Sequence, residues 1–321
     1  MPLLLNESDV QAILTMPLAL EAVENSFRRL AEGSAILHAR QRLHLPGKSY
    51  LHYLAAGDSA AGYMGLKIYT SSRQGLRFLI PLFAAQSGDF AALIEAGYLG
   101  QMRTGAATGL ATRLMAREDA SIAAIIGTGS QARTQIEAIV LVRKVEEIRA
   151  YSRDARRREQ FAAEMTERLR VPVKAVSSAE EAVRGAGIVI TATTSAEPVL
   201  EERWIEPGMH IAAIGANFAH KRELDAAAVK RCNRIVADSR AQAREEAGDL
   251  IQVFGTDDRQ WESVAELAEV VTGKIAGRKS PDEITFFKST GVATEDIAVA
   301  ARVYEIARRR GIGRRMPASE W

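Results

Sequence analysis

Two glycines and an alanine near the middle of this chain have a spacing that can support ligand binding. In the run IIGTGSQA, Gly127, Gly129 and Ala132 follow the pattern G-x-G-x-x-A. The first glycine permits a tight turn, and the second lets the main chain approach a pyrophosphate, which the free N–H groups of a following helix can bind. Ala132 is small enough for close packing of that helix, and Ser130 and Gln131 open it. The spacing predicts a dinucleotide site.

The segments on either side of these glycines have the context that such a loop needs. The apolar run from Ile122 to Ile126 predicts a strand buried on both faces. After Ser130, apolar residues such as Ile136 and Ile139 recur at helical spacing. The alternative for an isolated match is a glycine turn of purely structural use, and the strand and helix on either side argue against it.

The end of the next predicted strand, residues 147–152, bears on which dinucleotide is bound. NAD-binding proteins place Asp or Glu there, about 20 residues past the glycines, to accept hydrogen bonds from the ribose hydroxyls. This chain has Ser152 followed by Arg153, and a hydroxyl beside a guanidinium suits a 2′-phosphate. The sequence therefore favours NADP over NAD. A shift of one residue in register would make Asp154 the carboxylate that selects NAD.

The rest of the second half alternates helices and strands, as a doubly wound parallel sheet demands. The pattern predicts helices at 154–169, 179–183 and 294–310 and strands at 171–176, 188–194, 209–216, 235–237 and 283–291. Ligands of such sheets bind outside the carboxyl ends of the strands. The residues at those ends are therefore assigned to the cofactor: Thr191, Thr193, Thr194, Gly215, Ala216, Ser289 and Gly291, with Asn217 also lining the crevice.

The front of the chain predicts helix over residues 1–33, short strands from 35 to 94 and a helix over 99–115. Arg42 alternates with apolar neighbours on one strand, and Lys67 does so on another. From the residues alone, the simpler interpretation of both is a cation facing solvent. Arg103 lies near the start of a helix of small residues, where it can grip a carboxylate with two parallel hydrogen bonds or form a structural salt bridge. Thr104, next to Arg103, is assigned to the cofactor.

Composition limits the class of protein. A chain of 321 residues is long enough for two domains, and a net charge of +2 offers no support for binding nucleic acid or membranes. The single cysteine, Cys232, excludes an internal disulfide, and no motif predicts a metal site. The N-terminus lacks the features of a signal peptide, and no apolar run reaches the ~20 residues of a membrane span. We therefore expect a cytoplasmic protein.

Six motifs taken together resemble the ornithine cyclodeaminase and mu-crystallin family over nearly the whole chain. Each motif is weak alone, and their joint order and spacing are specific. The motifs are RLHLPG with Arg42, GLKIYT with Lys67, QMRTGAATGLAT with Arg103, IIGTGSQA with Gly127 and Gly129, GAN at 215–217 followed by KRELD, and STGVATED at 289–296.

This resemblance implies an α/β fold with two domains. A Rossmann-type doubly wound domain at residues 116–291 binds NAD(H) or NADP(H). An N-terminal α/β domain at 1–115, completed by the C-terminal helix in 292–321, dimerises and binds substrate. The family also implies that Arg42 and Arg103 grip a substrate carboxylate and that Lys67 is an acid/base group beside the reacting carbon.

Asn217 departs from the pattern of the family members that deaminate ornithine, which have an aspartate there. A carboxylate can accept a proton, whereas an amide only exchanges hydrogen bonds. The resulting hypothesis is an NAD(P)H-dependent reductase of a small imino acid, such as pyrroline-2-carboxylate or the imine of a 2-oxo acid, which can also run as an amino-acid dehydrogenase. The alternatives are an ornithine cyclodeaminase and a binding protein that holds NADPH without turnover.

Overall fold

The computed structural model describes residues 1–46, 49–72 and 75–317. The chain divides into two compact units, which we call unit 1 and unit 2. Unit 1 comprises Met1–Arg103 and the segment from Val292 onward, and unit 2 is Thr104–Gly291. The boundary lies within one helix, between Arg103 and Thr104. The family resemblance assigns Arg103 to the substrate, whereas Thr104 is assigned to the cofactor.

The helices and strands follow in chain order. The first set is β1 (Leu3–Leu5), α1 (Glu7–Ile13), α2 (Met16–Glu32), β2 (Ala35–Leu45), β3 (Ser49–Asp58), β4 (Tyr63–Ser72), β5 (Gly75–Ala84), β6 (Phe90–Glu95) and α3 (Gly97–Met115). The second set is β7 (Ile122–Ile126), α4 (Ser130–Val142), β8 (Glu147–Tyr151), α5 (Ala155–Leu169), β9 (Val173–Ala175), α6 (Ala179–Val183), β10 (Ile188–Thr191) and β11 (His210–Ala213). The last set is α7 (Ala226–Arg231), β12 (Arg234–Ala237), α8 (Arg240–Glu246), α9 (Gly248–Phe254), α10 (Asp258–Glu262), β13 (Ala265–Glu266), α11 (Leu267–Val271), β14 (Thr285–Lys288), α12 (Ala293–Arg310) and β15 (Arg314–Arg315).

Unit 1 is built on a mixed sheet. Within its described residues, seven strands pair in the order β15-β1-β6-β5-β4-β3-β2, and β2 to β5 form an antiparallel meander. Helix α12 packs on α2 and on β3 and β4. Gly65 of β4 allows this packing, because a Cβ there would lie 2.5 Å from the carbonyl oxygen of Pro81 and 3.1 Å from Ile297 Cδ1. The C-terminal helix thus belongs to the core of unit 1.

Unit 2 is a doubly wound α/β unit. Its residues are all described, and its strands run parallel in the order β13-β12-β14-β11-β10-β7-β8-β9. Every residue of β10, β11 and β14 is buried, as expected for strands covered by helices on both faces. The strand order reverses on either side of β7, and such a switch point is where open parallel sheets bind ligands. The predicted fold class is confirmed.

The structure differs from the sequence prediction at element ends, at residues 3–5 and in several short elements that the prediction omitted. Residues 3–5 form a strand and not a helix, because they pair with β6 on one side and β15 on the other. Strand β10 ends at Thr191, three residues before the predicted end, and the N–H of Thr193 donates to the Glu223 carboxylate and not to a neighbouring strand. The sequence prediction also omitted the helices α7 to α11 and the strands β13 and β15.

Two features are absent from the part of the chain that the structure describes. None of its helices combines the length and apolarity needed to cross a membrane. No three His, Cys, Asp or Glu side chains within the same described ranges are grouped in a way that could hold a metal ion.

Candidate functional site

The glycine loop of unit 2 connects β7 to α4 as the sequence predicts. Gly127 has φ 100°, and a Cβ there would lie 2.4 Å from the carbonyl oxygen of Ala192. Both its backbone conformation and the lack of space therefore require glycine at this position. Ala132 is fully buried, and the loop closes on its neighbour strand because the N–H of Gly127 donates to the carbonyl of Tyr151.

The N-terminus of α4 has the properties of a phosphate cradle. Its N-cap, Gly129, offers no side chain to cap the helix, and a Cβ built there would meet no heavy atom within 4 Å. The first-turn N–H groups, which include those of Ser130 and Gln131, therefore face open space with the positive end of the helix dipole. Gln131 Oε1 and Thr191 Oγ1 are buried without a hydrogen-bond partner. These residues fit a bound dinucleotide phosphate and its ribose.

Ser152 lies beside this loop. It immediately follows β8, and its hydroxyl accepts a hydrogen bond of 2.9 Å from Thr128 Oγ1. Asp154 has another role: its carboxylate accepts from the N–H of Arg157 as the N-cap of α5. Arg153 is exposed next to Ser152, and the Arg158 guanidinium donates to the Ser152 carbonyl. A hydroxyl and cations thus surround the strand end, and the nearest carboxylate is engaged at a helix cap.

The loops after β10 and β11 are joined by one acid. Glu223 accepts hydrogen bonds from the N–H and hydroxyl of Thr193 and from the N–H of Gly215. Burial raises the pKa of Glu223, while the ammonium of Lys288 acts in the opposite direction. Thr194 is exposed, Ala216 is buried and Asn217 is half-buried. Thr193 and Gly215, one from each strand end, therefore belong to one hydrogen-bonded cluster.

The turn after β14 is held by another acid. Asp238 accepts from Ser289 Oγ at 3.0 Å and from the N–H of Gly291 at 2.6 Å. The hydroxyl of Thr290 donates to the same carboxyl group. Asp238 therefore binds both the Ser289 hydroxyl and the main-chain N–H of Gly291.

Unit 1 brings Lys67 and Arg103 together at one carboxylate. Lys67 Nζ lies 2.9 Å from Asp296 Oδ1, and Arg103 Nε lies 3.0 Å from the same oxygen. Arg103 also donates to Glu295 at 2.6 Å. The acids are adjacent at the start of α12, the arginine is on α3 and the lysine is on β4. Of the three cations predicted for catalysis, these two lie close together.

The surroundings of Lys67 lower the pKa of its ammonium group to about 8. Burial is the largest cause, the Arg103 charge adds to it, and Asp296 opposes both. Gly100 of α3 leaves space for the amine, because a Cβ there would lie 3.1 Å from Lys67 Nζ. The Phe78 ring lies 5.2 Å away. A lysine with this pKa can both donate and accept a proton near neutral pH.

Arg42 lies on the same sheet, two strands away from Lys67. It is half-buried on β2 and pairs in register with His52 of β3, which in turn pairs with Tyr69 of β4. Burial and the charges of Arg42 and Arg40 lower the pKa of His52 to about 4, so this ring is neutral. A β-bulge between His38 and Gln41 turns Arg40 toward the interior, where it is buried.

The sequence analysis did not single out several of the acids that hold these groups. Asp296 and Glu295 occur in the STGVATED motif, and Glu223 occurs in KRELD. Both motifs were noted, but which cation or amide each acid meets depends on distant segments. Asp238 follows β12 directly, and its position at a strand end was the available signal.

Comparison with known proteins adds to this geometry. The sequence profile of the ornithine cyclodeaminase/mu-crystallin family matches residues 1–311. A Delta(1)-pyrroline-2-carboxylate reductase of Bacillus cereus is 37% identical over 266 residues, which cover 79% of this chain and 80% of the relative.

Two solved structures are similar over almost their whole length. The Delta(1)-pyrroline-2-carboxylate reductase of Thermococcus litoralis, in complex with NADH and L-proline, has a TM-score of 0.93 and 34% identity and covers 98% of this chain and 100% of its own. An archaeal alanine dehydrogenase dimer with bound NAD has a TM-score of 0.92 and 33% identity and covers 99% of each chain.

Proposed function

The chain belongs to the ornithine cyclodeaminase/mu-crystallin family, and from this premise we propose that it is an NAD(P)H-dependent reductase of a small imino acid. The substrate is a cyclic ketimine such as pyrroline-2-carboxylate or the imine of a 2-oxo acid, and the reverse reaction is an amino-acid dehydrogenation. The observation that carries the proposal is the shared carboxylate of Asp296, which holds Lys67 beside Arg103. The reductase and alanine dehydrogenase relatives support it.

The proposed roles follow from the chemistry of each side chain. Arg103 and Arg42 bind the substrate carboxylate, because a guanidinium matches it with two parallel hydrogen bonds. Lys67, with its pKa of about 8, donates a proton to the product nitrogen in reduction and accepts one in oxidation. Asn217 hydrogen-bonds the substrate nitrogen or a water molecule. When bound, the reduced dinucleotide supplies the hydride.

We further propose that unit 2 binds the dinucleotide and that unit 1 binds substrate. The residues assigned to the cofactor are Thr104, Gly127, Gly129, Ser130, Gln131, Ala132, Ser152, Arg153, Thr191, Thr193, Thr194, Gly215, Ala216, Ser289 and Gly291. NADP is the favoured form, because Ser152 stands where NAD-binding proteins have a carboxylate and Asp154 is engaged as a helix cap.

A homodimer is the proposed assembly. The face of the unit 1 sheet opposite to Lys67 carries large exposed apolar side chains, among them Leu43, Tyr53 and Leu79, whose exposed fractions are 53%, 43% and 41%. Contiguous apolar surface of this kind is typical of protein interfaces. The archaeal alanine dehydrogenase relative is a dimer.

The test is a substrate panel with the purified full-length chain. Cyclic imines, pyruvate with ammonia or methylamine, and ornithine are each assayed with NADH and NADPH by the absorbance of the reduced cofactor. We expect one reduced cofactor to be consumed per imine reduced, and Lys67→Met to lose turnover. Lys274→Met is the control, since Lys274 is largely exposed in unit 2.

Three results would contradict the proposal. Release of ammonia from ornithine without net cofactor consumption would indicate a cyclodeaminase. Tight NADPH binding without turnover of any substrate would indicate a binding protein. Full turnover by Lys67→Met would exclude the role given to Lys67.

A further inference from the structure

Three fully buried charged side chains lie beneath the loops that follow β10 and β11. They are Glu223, Asp249 and Lys288, and none has exposed surface. We call them the buried acid–lysine network. All belong to unit 2, and none was assigned a role by the sequence analysis.

Glu223 joins two loops that come from neighbouring strands. Its Oε1 accepts from the N–H of Thr193 at 2.7 Å and from the Thr193 hydroxyl at 2.8 Å, and its Oε2 accepts from the N–H of Gly215 at 2.7 Å. Three donors satisfy one carboxylate, and each favours its ionised form. The two loops therefore have a fixed separation that depends on one side chain.

Asp249 and Lys288 complete the connection from the other side. Asp249 Oδ1 accepts from the main-chain N–H groups of Glu223 and Leu224 at 2.6 and 2.9 Å. Its Oδ2 lies 2.7 Å from Lys288 Nζ, and that ammonium also donates to the carbonyl of Ala216 at 2.8 Å. The turn that contains Gly215 and Ala216 is thus held at two points: Glu223 binds the N–H of Gly215, and Lys288 binds the carbonyl of Ala216.

The packing around this turn leaves no slack. A Cβ on Gly215 would lie 2.1 Å from the carbonyl oxygen of Thr193 and 2.6 Å from Glu223 Oε1. The main chain of Glu223 is pinned as well, because its carbonyl accepts from the N–H groups of Val199 and Leu200. A shift of either loop would therefore break several hydrogen bonds at once.

The energetics suggest a role beyond holding the fold. Buried ion pairs contribute little net stability, and well-packed apolar residues of the same volume are often at least as stabilising. Two acids and a lysine in a fully buried position are therefore an inefficient way to fill a core. They do provide directional hydrogen bonds, which apolar side chains cannot.

We infer that the buried acid–lysine network positions the 192–195 and 214–217 loops for the nicotinamide half of the dinucleotide, at the carboxyl ends of β10, β11 and β14. This rests on the proposed function, because it takes unit 2 as the dinucleotide-binding unit. Glu223, Asp249 and Lys288 are positioning residues that act through Thr193, Gly215 and Ala216. The phosphates are assigned to the N-terminus of α4, with which the network forms none of the hydrogen bonds described above, although Ala192 of the 192–195 loop packs against Gly127.

The test compares two ligands that differ only in the nicotinamide. The affinities of NADPH and of 2′-phospho-ADP-ribose are measured by calorimetry for the wild type, for Glu223→Gln and for the double variant Lys288→Met with Asp249→Leu. Glu223→Gln places an N–H group against donors. The double variant removes both charges together, so that neither is left buried alone.

We expect each variant to bind NADPH about tenfold more weakly or worse, because the loops that face the nicotinamide lose hydrogen bonds that fix their position, and to bind 2′-phospho-ADP-ribose as the wild type does. His210→Leu is the matched control. His210 is buried on the same sheet and bonds to Thr285, but at the amino ends of β11 and β14. We expect it to lower the melting temperature without changing the ratio of the two affinities.

The inference is wrong if both affinities fall in parallel or if neither changes in a folded variant. If one of the two variants fails to fold, the two affinities measured for the other variant are sufficient to test the inference. If the wild type prefers NADH, the ligand pair becomes NADH and ADP-ribose. A wild-type chain that binds the dinucleotide but reduces no imine contradicts the proposed function and leaves the affinity comparison intact.

Discussion

Lys67 Nζ and Asp296 Oδ1 form a buried ion pair of 2.9 Å between residues that are 229 positions apart in the chain. Arg103 Nε lies 3.0 Å from the same oxygen, so two cations share one carboxylate oxygen. The acid stabilises the charge on the lysine, and the arginine and burial destabilise it. The proton affinity of Lys67 is therefore set by the balance between these three effects.

The rate of imine reduction should fall as the pH rises through about 8. Reduction requires the Lys67 ammonium as donor, and its pKa is lowered to about 8; the reverse reaction requires the neutral amine and should rise over the same range. Lys67→Arg should reduce imines far more slowly and without this decline at high pH, since a guanidinium stays protonated and is a poor proton donor. The measurement is kcat/KM against pH in both directions. If the decline at high pH persists in Lys67→Arg, it must be caused by the substrate or by another group of the protein.

In Asp296→Asn, the pH at which the rate of imine reduction declines should be lower by about one unit or more. The substitution removes the group that raises the pKa of Lys67, while burial and Arg103 still lower it. Glu295→Gln is the matched control: Glu295 contacts Arg103 and not Lys67. We expect Glu295→Gln to raise KM for the acid substrate and to leave the pH of this decline unchanged. Equal shifts in both variants would mean that the effect is not specific to Asp296.

Ser152→Asp should reverse the preference between the two cofactors. A carboxylate beside Thr128 would accept hydrogen bonds from a ribose diol and repel a 2′-phosphate. We expect NADPH to bind at least ~10-fold more weakly, a change of about 1.4 kcal/mol, and NADH to bind more tightly. Ser152→Ala should weaken NADPH only slightly. Fluorescence titration with each cofactor measures this, and a wild type that already prefers NADH would disprove the NADP assignment.

The two glycines of the dinucleotide loop should respond differently to alanine. Gly129→Ala should fold normally, because φ is −76° and the space beside it is open, yet lose dinucleotide affinity as the methyl group occupies that space. Gly127→Ala should lower the free energy of unfolding by about 2 kcal/mol or more, because of the positive φ and the contact with Ala192. Thermal unfolding and cofactor titration separate the two effects. Unchanged cofactor binding in Gly129→Ala would place the phosphates elsewhere.

Leu43→Glu should convert the proposed homodimer to a monomer. The side chain is more than half exposed on the apolar face of the unit 1 sheet, and a buried interface would have to desolvate the new charge. Light scattering after size-exclusion chromatography gives the mass. Leu141→Glu is the control, because Leu141 is similarly exposed on α4. A wild type that is monomeric, or a Leu43→Glu variant that stays dimeric, would refute the assignment of this face.

Some of the fold followed from local rules. Local sequence predicted the strand from Ile122 to Ile126, the glycine turn and the helix from Ser130. This was possible because an apolar run, a glycine turn and the helical spacing of apolar residues each depend on a few neighbouring residues. The α12 helix could be predicted to within a residue for the same reason. Residues 3–5 could not, because a strand of three residues forms only where two distant strands offer partners.

The sequence by itself determined the doubly wound unit, the glycine turn between β7 and α4 and, through the joint order of its motifs, the family. It identified Arg42, Lys67 and Arg103 as candidates but could not say which acid each would meet. Only the tertiary structure decided that Asp296 joins Lys67 to Arg103 and that Glu223 joins Thr193 to Gly215. The physical reason is range: hydrogen bonds and charges act through space over a few ångströms, and the segments that carry them are brought that close by chain folding and not by their spacing in the sequence.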